Sequence, residues 1–507
     1  MKLHRAVAAV VLLAGFAALL AVRARPRPYA FHYDNVLGTS MDLTVVASSE
    51  QAATLAEAAV LRQIDRDSAI LSGYDQHSEF SRWFRTRGQA VPVSPELFTV
   101  LGLFDAWRQR AGGALDAAAE RVSLVWQAAA ASGRLPSDTD LMHAVDEVRQ
   151  PHWRLDSVAR TATHLSATPV MLNSFTKSYL VDRAARAALA IRSIHGVVVN
   201  IGGDLVVRGD WTEAVRVTDP GDHADNGAAL SRLAVRNRAV ATSGGYRRGF
   251  DIAGAHYSHI VDPRTGRPTG HVLSATVVAD DAVDAGALAT VLCVLTPAAG
   301  EQLASQVPGA EFVMVLADGR RLESRGWRSL EAPAARIPTT PSPFAQVFAA
   351  EHVWDPAFEL LVTVDLARPS GMAKRPYVAV WIEDKDKFPV RTLALWYEKS
   401  RYLPELKAWY RDDRLRAMAE GTEIIGSVAS ATRSPGSYTF KWDGKDQQGT
   451  PVNPGTYLVS IEVSREHGTY QLLRQEVDFS GVAKHVALPG GSEVAAASLD
   501  YHKIAGR

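Results

Sequence analysis

Residues 197–209 read VVVNIGGDLVVRG. Two β-branched apolar runs flank a glycine pair, which predicts a buried strand, then Gly-Gly, then a second strand. Glycines at a strand end also let a ligand come close to the backbone, although many strand ends have this form. Outward from this point, EAVRVTD (213–219), AVATSGG (239–245) and SATVVA (274–279) predict further strands. Residues 173–190 and 285–295 read as helices. Residues 33–47, YDNVLGTSMDLTVVA, read as strand, bend at Gly38-Thr39, and strand. Residues 49–71 then predict a helix with Ser49 as N-cap and Leu55, Ala58, Leu61 and Ile64 at helical spacing. A polar loop is expected over 71–83. A second amphipathic helix is expected over 95–110, with Leu97, Leu101, Phe104 and Trp107 on one side and Gly112-Gly113 ending it. Strands mixed with helices, without a strict βαβ rhythm, predict an α+β domain.

Further along, the pattern changes. SLEAPAARIPTTPSP (329–343) is a Pro-rich stretch that reads as a linker, placed at 329–344. Beyond it YVAVWIE, RTLALWY, YTFKW and TYLVSIEV alternate in period two, so residues 345–507 are expected to form an all-β, sandwich-like domain. Trp381, Trp396 and Trp442 are expected in its core. At the other end, MKLHR leads into about 17 apolar residues and then RARPRP. Residues 1–28 therefore read as a signal peptide or membrane anchor, with the rest of the chain exported. No cysteine follows the apolar run, so a lipidated N-terminus is not expected.

The bulk numbers narrow the function. A chain of 507 residues suggests two to four domains. Lys+Arg and Asp+Glu both number 55, so no basic field exists to bind nucleic acid. The single cysteine, Cys293, excludes an internal disulfide framework and a cysteine metal cluster.

Besides NIGGD (200–204), three stretches carry candidate chemistry. In LNSFTKSYLVDRA (172–184), Lys177 near a helix start suits an anionic ligand, or else follows an Asn or Ser cap into solvent. In GALATVL (286–292), Thr290 either bonds the carbonyl four residues back or ligates a metal. In HYSHIVDPRTGRP (256–268), His259 is the residue to single out. The arginines of its turn read as solvent-facing.

Taken in order, these stretches resemble the ApbE family, the FAD:protein FMN transferases. The resemblance runs over about residues 33–325 through LGTSM (37–41), LSGYDQHSEFSR (71–82), GGALDAAAERVSLVW (112–126), LNSFTKSYLVDRA, VVVNIGGDLVVRG, AVATSGGYRRGF (239–250), YSHIVDPRTGRP (257–268) and SATVVADDAVDAGALATVL (274–292). It assigns residues 29–328 to an ApbE-like flavin-nucleotide-binding domain. The β-rich domain resembles one of unknown function that follows some ApbE domains. The resemblance implies FAD as substrate, Mg2+ as cofactor, transfer of FMN to a Ser or Thr hydroxyl of an exported flavoprotein, and release of AMP. It places the protein in the periplasm or on the outer face of the inner membrane. The family's target motif, roughly Asp-Gly-x-Ser/Thr-Gly/Ala-Ala-Thr, is absent from this chain, so self-modification is not expected.

By the same resemblance, Leu37, Tyr74, Ala114, Leu115, Asp116, Lys177, Ile260 and Ala289 contact the flavin nucleotide. His259 is the candidate general base, with Lys177 beside it. Ser174, through its carbonyl, and Thr290 meet the metal. Two departures stand out. Gly286 occupies the place of the family's metal aspartate, and Met171 the place of another aspartate. Asp284 lies about 200° round a regular helix from position 286 and so cannot replace it. The alternatives are a flavin binder or partner-docking protein with impaired turnover, and a FAD pyrophosphatase.

Overall fold

The computed structural model describes residues 25–222, 224–227, 229–246, 248–332, 354–368, 375–398, 400–420, 424–465 and 468–504. The apolar run and residues 333–344 of the expected linker lie outside them. The first strand starts at Arg27, inside the segment expected to be a signal or anchor. Among the described residues no helix is long and apolar enough to cross a membrane.

The stretch VVVNIGGDLVVRG forms the centre of an eight-stranded antiparallel sheet. Its order is Arg27–Val36, Thr39–Ala47, Ile194–Ile201, Asp204–Gly209, Ala239–Gly244, Val272–Ala279, Glu311–Leu316 and Arg321–Glu323. Successive side chains alternate between faces. Val197 and Val199 enter the main core, whereas Val198 enters a second core on the other side. That second core is closed by the hairpin Glu213–Thr218/Ala229–Val235 and by Trp327. Ile201 pairs with Asp204, so Gly202 and Gly203 make the whole turn, at φ 58° and 98°. A Cβ on Gly202 would also come within 2.7 Å of Thr39. Both constraints call for glycine.

The main core lies under the helices Glu50–Leu71, Thr176–Leu189 and Ala282–Val294. Ser49 caps the first by accepting from the Ala52 N–H at 3.2 Å, a bond of the kind worth about 1 kcal/mol. Its buried stripe differs from the one the spacing predicts. Leu55 is 55% exposed, and the stripe runs through Ala52, Ala53, Ala56, Val60 and Ile64. It faces the helix Thr176–Leu189, whose buried side includes Ala184, Ala185 and Ala188. Small side chains let the two backbones approach, and that closeness outweighs the larger apolar residue. The polar loop expected over 71–83 also contains a short helix, Glu79–Phe84. Ser78 caps it, and it buries Phe80 and Trp83. The helix expected over 285–295 begins earlier, at Ala282, with Asp281 as its cap.

The C-terminal region packs a four-stranded sheet against a five-stranded one around Trp354, Trp396, Trp442, Val380 and Ile461. Alternation in these strands puts Trp381 on the opposite side, under the helix Lys407–Glu420 with Trp409. That helix adds to the β architecture the alternating pattern announces. The two regions touch. The Asp225 N–H donates to the Thr439 carbonyl at 2.7 Å, and Lys441 donates its N–H to Asn226 Oδ1 at 2.6 Å. Segment 225–226 thereby bonds to the edge strand Ser437–Trp442.

Candidate active-site cleft

A cleft of about 600 Å3 opens where the helices meet the ends of the central strands. Its floor is the helix Ala282–Val294, which presents Gly286, Ala289, Thr290 and Val294 on one face. Its walls include residues 114–117, the segment Met171–Lys177, Gly202 and Asp204, and residues His259–Val261.

Eleven of the residues singled out from the sequence line this cleft: Ala114, Leu115, Asp116, Met171, Ser174, Lys177, His259, Ile260, Gly286, Ala289 and Thr290. Two do not. Leu37 sits in the bend between the first two strands at φ 53°, packed on the main core. Tyr74 is 78% exposed and reaches the cleft only through Asn173, whose amide donates to its hydroxyl at 3.0 Å.

His259 follows the hairpin Gly249–Ile252/Ala255–Ser258. Its Nδ1 lies 3.0 Å from the Arg248 carbonyl. A carbonyl only accepts, so Nδ1 carries the proton and Nε2 keeps a free lone pair. Burial lowers the imidazole pKa, with the Arg248 and His256 charges adding to the effect and the hydrogen bond opposing it. The ring keeps exposed surface, and the nearby Arg248 and His256 charges favour its neutral form.

Asp116 is held by Arg108 Nε at 2.7 Å and by the Ala118 N–H at 2.8 Å. Burial raises its pKa against the pull of Arg108. It fixes the wall where residues 114–117 turn into the helix Ala119–Ser132. The Met171 N–H donates to the Ala117 carbonyl at 2.9 Å and ties the two wall segments together. Phe175 stacks on Phe104 at 4.3 Å beneath Ser174.

The arginines of the turn are engaged rather than free. Arg264 pairs with Asp262 at 2.8 Å and Arg267 with Asp138 at 2.7 Å. Asp284 faces away from the cleft, 3.5 Å from Arg110, as the helix angle predicts. Thr290 donates back to the Gly286 carbonyl at 3.3 Å, the first of its two readings. Asp204, Glu120 and Arg248 also line the cleft, and the sequence reading did not select them. Asp204 lies within the stretch NIGGD, but only the fold shows that its side chain turns inward.

Asp204 lies close enough to Lys177 to feel its charge. Burial pushes its pKa up to about 6, against the charge of Lys177 and the nearby Ser178 hydroxyl. That hydroxyl has no partner at hydrogen-bonding geometry, so we read its relation to Asp204 as proximity rather than a formed bond. A side chain at position 286 would run into Ser178 Oγ and meet Ser178 Cβ at 3.1 Å. The described residues contain no group of three or more His, Cys, Asp or Glu able to hold a metal. The residues lining the cleft include Ser174, Thr290 and Asp204, which carry only oxygen donors. Such donors, completed by phosphate oxygens, fit a hard cation such as Mg2+ rather than a thiophilic one.

Known proteins resemble both regions of the chain. The ApbE family model matches residues 37–314, and the model described as "Predicted periplasmic protein (DUF2271)" matches residues 359–496. The chain is 35% identical to an FAD:protein FMN transferase of Rhodobacter capsulatus over 30% of this chain and 29% of that protein. It is 28% identical to the FAD:protein FMN transferase of Treponema pallidum over 60% of this chain and 89% of the relative. Among solved structures, the ApbE protein of Thermotoga maritima shares 25% identity at a TM-score of 0.54, covering 61% of this chain and all of that one.

Proposed function

The chain belongs to the ApbE family, and on that premise we propose that it transfers FMN from FAD to a Ser or Thr hydroxyl of an exported flavoprotein, releasing AMP. The observation that carries this reading is the state of His259. Its Nδ1 proton is committed to the Arg248 carbonyl, which leaves Nε2 of this cleft-lining residue able to accept a proton. In the reaction Nε2 takes the proton of the target hydroxyl. The freed oxygen forms a bond to the phosphorus of the FMN half. The bond from that phosphorus to the bridging oxygen breaks, and the bridging oxygen leaves with AMP. Lys177 offsets the charge of the diphosphate, and the walls at Ala114–Asp116 and Ile260 hold the flavin nucleotide. Ser174, through its carbonyl, and Thr290, through its hydroxyl, are the residues we assign to a magnesium ion. When bound, that ion supplies further charge neutralisation at the diphosphate. The match of the C-terminal region to a family described as periplasmic supports an exported location.

The test is AMP release from FAD by the full-length chain across a magnesium titration, with a target domain present and its mass followed. AMP together with FMN on the target supports the transferase. AMP together with free FMN makes the protein a pyrophosphatase instead. Tight FAD binding without AMP at any magnesium level leaves a flavin binder, the outcome for which the missing carboxylate at 286 gives a physical reason.

A further inference from the structure

We propose that Asp204 supplies the carboxylate that position 286 lacks, so that a divalent cation in the cleft is held by Asp204 together with the Thr290 hydroxyl and the Ser174 carbonyl. This rests on the transferase reading and adds a metal ligand to it. Three observations converge. The space a side chain at 286 would enter is taken by Ser178, which crosses from the helix Thr176–Leu189. Ser178 is only 3% exposed, and its Oγ has no partner at hydrogen-bonding geometry. An orphaned buried hydroxyl of this kind calls for a ligand or a water to satisfy it. Asp204 enters the same corner from the neighbouring hairpin, close enough to feel Ser178, and lines the cleft alongside Gly286 and Thr290.

The competing reading is that Asp204 serves as the counter-ion of Lys177. Lys177 influences Asp204 through its charge, yet no ion pair among the described residues joins the two. The carboxylate is left available for a cation. The hairpin that carries it is tight: Ile201 pairs directly with Asp204, and Gly202 and Gly203 make the turn. Lengthening or shifting that hairpin would move the proposed ligand.

Mn2+ is a spectroscopically visible probe for the site. The full-length chain is titrated with Mn2+ alone, and the free ion is followed by electron paramagnetic resonance. The wild-type chain should bind one ion, and Asp204→Asn should weaken it by roughly tenfold or more through loss of an anionic oxygen. Ser178→Gly with Gly286→Asp in the Asp204→Asn background should restore binding, because it clears the space and returns a carboxylate from the helix side. A second measurement needs no variant. Fe2+ with ascorbate should cut the wild-type chain next to Asp204 and Thr290. Unchanged Mn2+ affinity in a folded Asp204→Asn, or cutting confined to other segments, overturns the assignment while leaving FMN transfer to be judged by its own assay. Absence of any Mn2+ binding also overturns it, again without touching that assay.

Discussion

The role proposed for His259 turns on one hydrogen bond. The Arg248 carbonyl selects the tautomer, and burial keeps the ring neutral. The sign of the pH effect follows. A histidine with a lowered pKa takes up its proton only below its ordinary value. FMN transfer should therefore be level above that value and fall as the pH drops through the depressed pKa. His259→Ala should lower kcat by roughly 10²–10⁴-fold and remove this limb of the profile. A profile that keeps the limb in the variant would assign it to another group. The same depressed pKa contributes stability that is present above the ordinary value, near 6.5, and is lost as the pH falls through the folded pKa. At Gly286 the prediction concerns packing. Gly286→Asp alone should destabilise the chain by about 1–3 kcal/mol, because the new side chain meets Ser178. Ser178→Gly should return most of that loss in thermal melts. Equal melting of wild type and Gly286→Asp would mean the corner is roomier than its atoms indicate. The glycine was readable in the sequence as a missing carboxylate. That Ser178 fills its place was not readable, since the two residues come from different helices and meet only in the fold.

At the scale of elements, the hairpin Gly249–Ile252/Ala255–Ser258 aims the histidine. Tyr257 packs on Trp126 at 5.1 Å, and the Trp126 indole N–H donates to the Gly266 carbonyl at 2.9 Å. The helix Ala119–Ser132 thus braces both sides of the histidine segment. Gly249 has little room: a Cβ there would strike the Tyr257 carbonyl and come within 2.7 Å of the His256 ring. Gly249→Ala should therefore shift the neighbouring Arg248 carbonyl and lower kcat by roughly 10²-fold, with a smaller change in KM for FAD. Steady-state kinetics with a melting curve would separate this from unfolding, since Ile252, Phe250 and Tyr257 of the hairpin pack on the main core and a loss of that packing would also lower the melting temperature. Several central strands were legible from β-branched apolar runs such as VVVNIGGDLVVRG. The alanine stripe of Glu50–Leu71 was not, because apolar spacing weights a leucine above an alanine whereas close helix packing favours the smaller residue. The helix Glu79–Phe84 was hidden for a related reason: its two buried aromatics sit inside a polar stretch.

At the scale of the whole molecule, the two regions are joined by more than their connecting chain. Segment 225–226 hydrogen-bonds to the outer strand Ser437–Trp442, so it covers an edge that would otherwise expose unpaired backbone groups. Asp225 strengthens the contact twice, through Arg433 at 2.8 Å and through the Thr439 N–H at 3.2 Å. Lys441 answers with Asp222 at 3.2 Å and Glu359 at 3.1 Å. Period-two runs announced the second region, but nothing local marked residues 225–226 as its partner, because edge pairing across some 210 positions leaves no periodicity. Docking of this kind couples the unfolding of the two regions. Asp225→Ala removes the ion pair and one acceptor of a backbone N–H, a loss of about 1.5–3 kcal/mol for a charged hydrogen bond. Each region keeps its own core in the variant. Calorimetry of the wild type should then give one coupled transition, and Asp225→Ala should split it into two without lowering the later one. Two separate transitions already present in the wild type would show that the regions unfold independently, and the edge contact would then serve only to cover the strand.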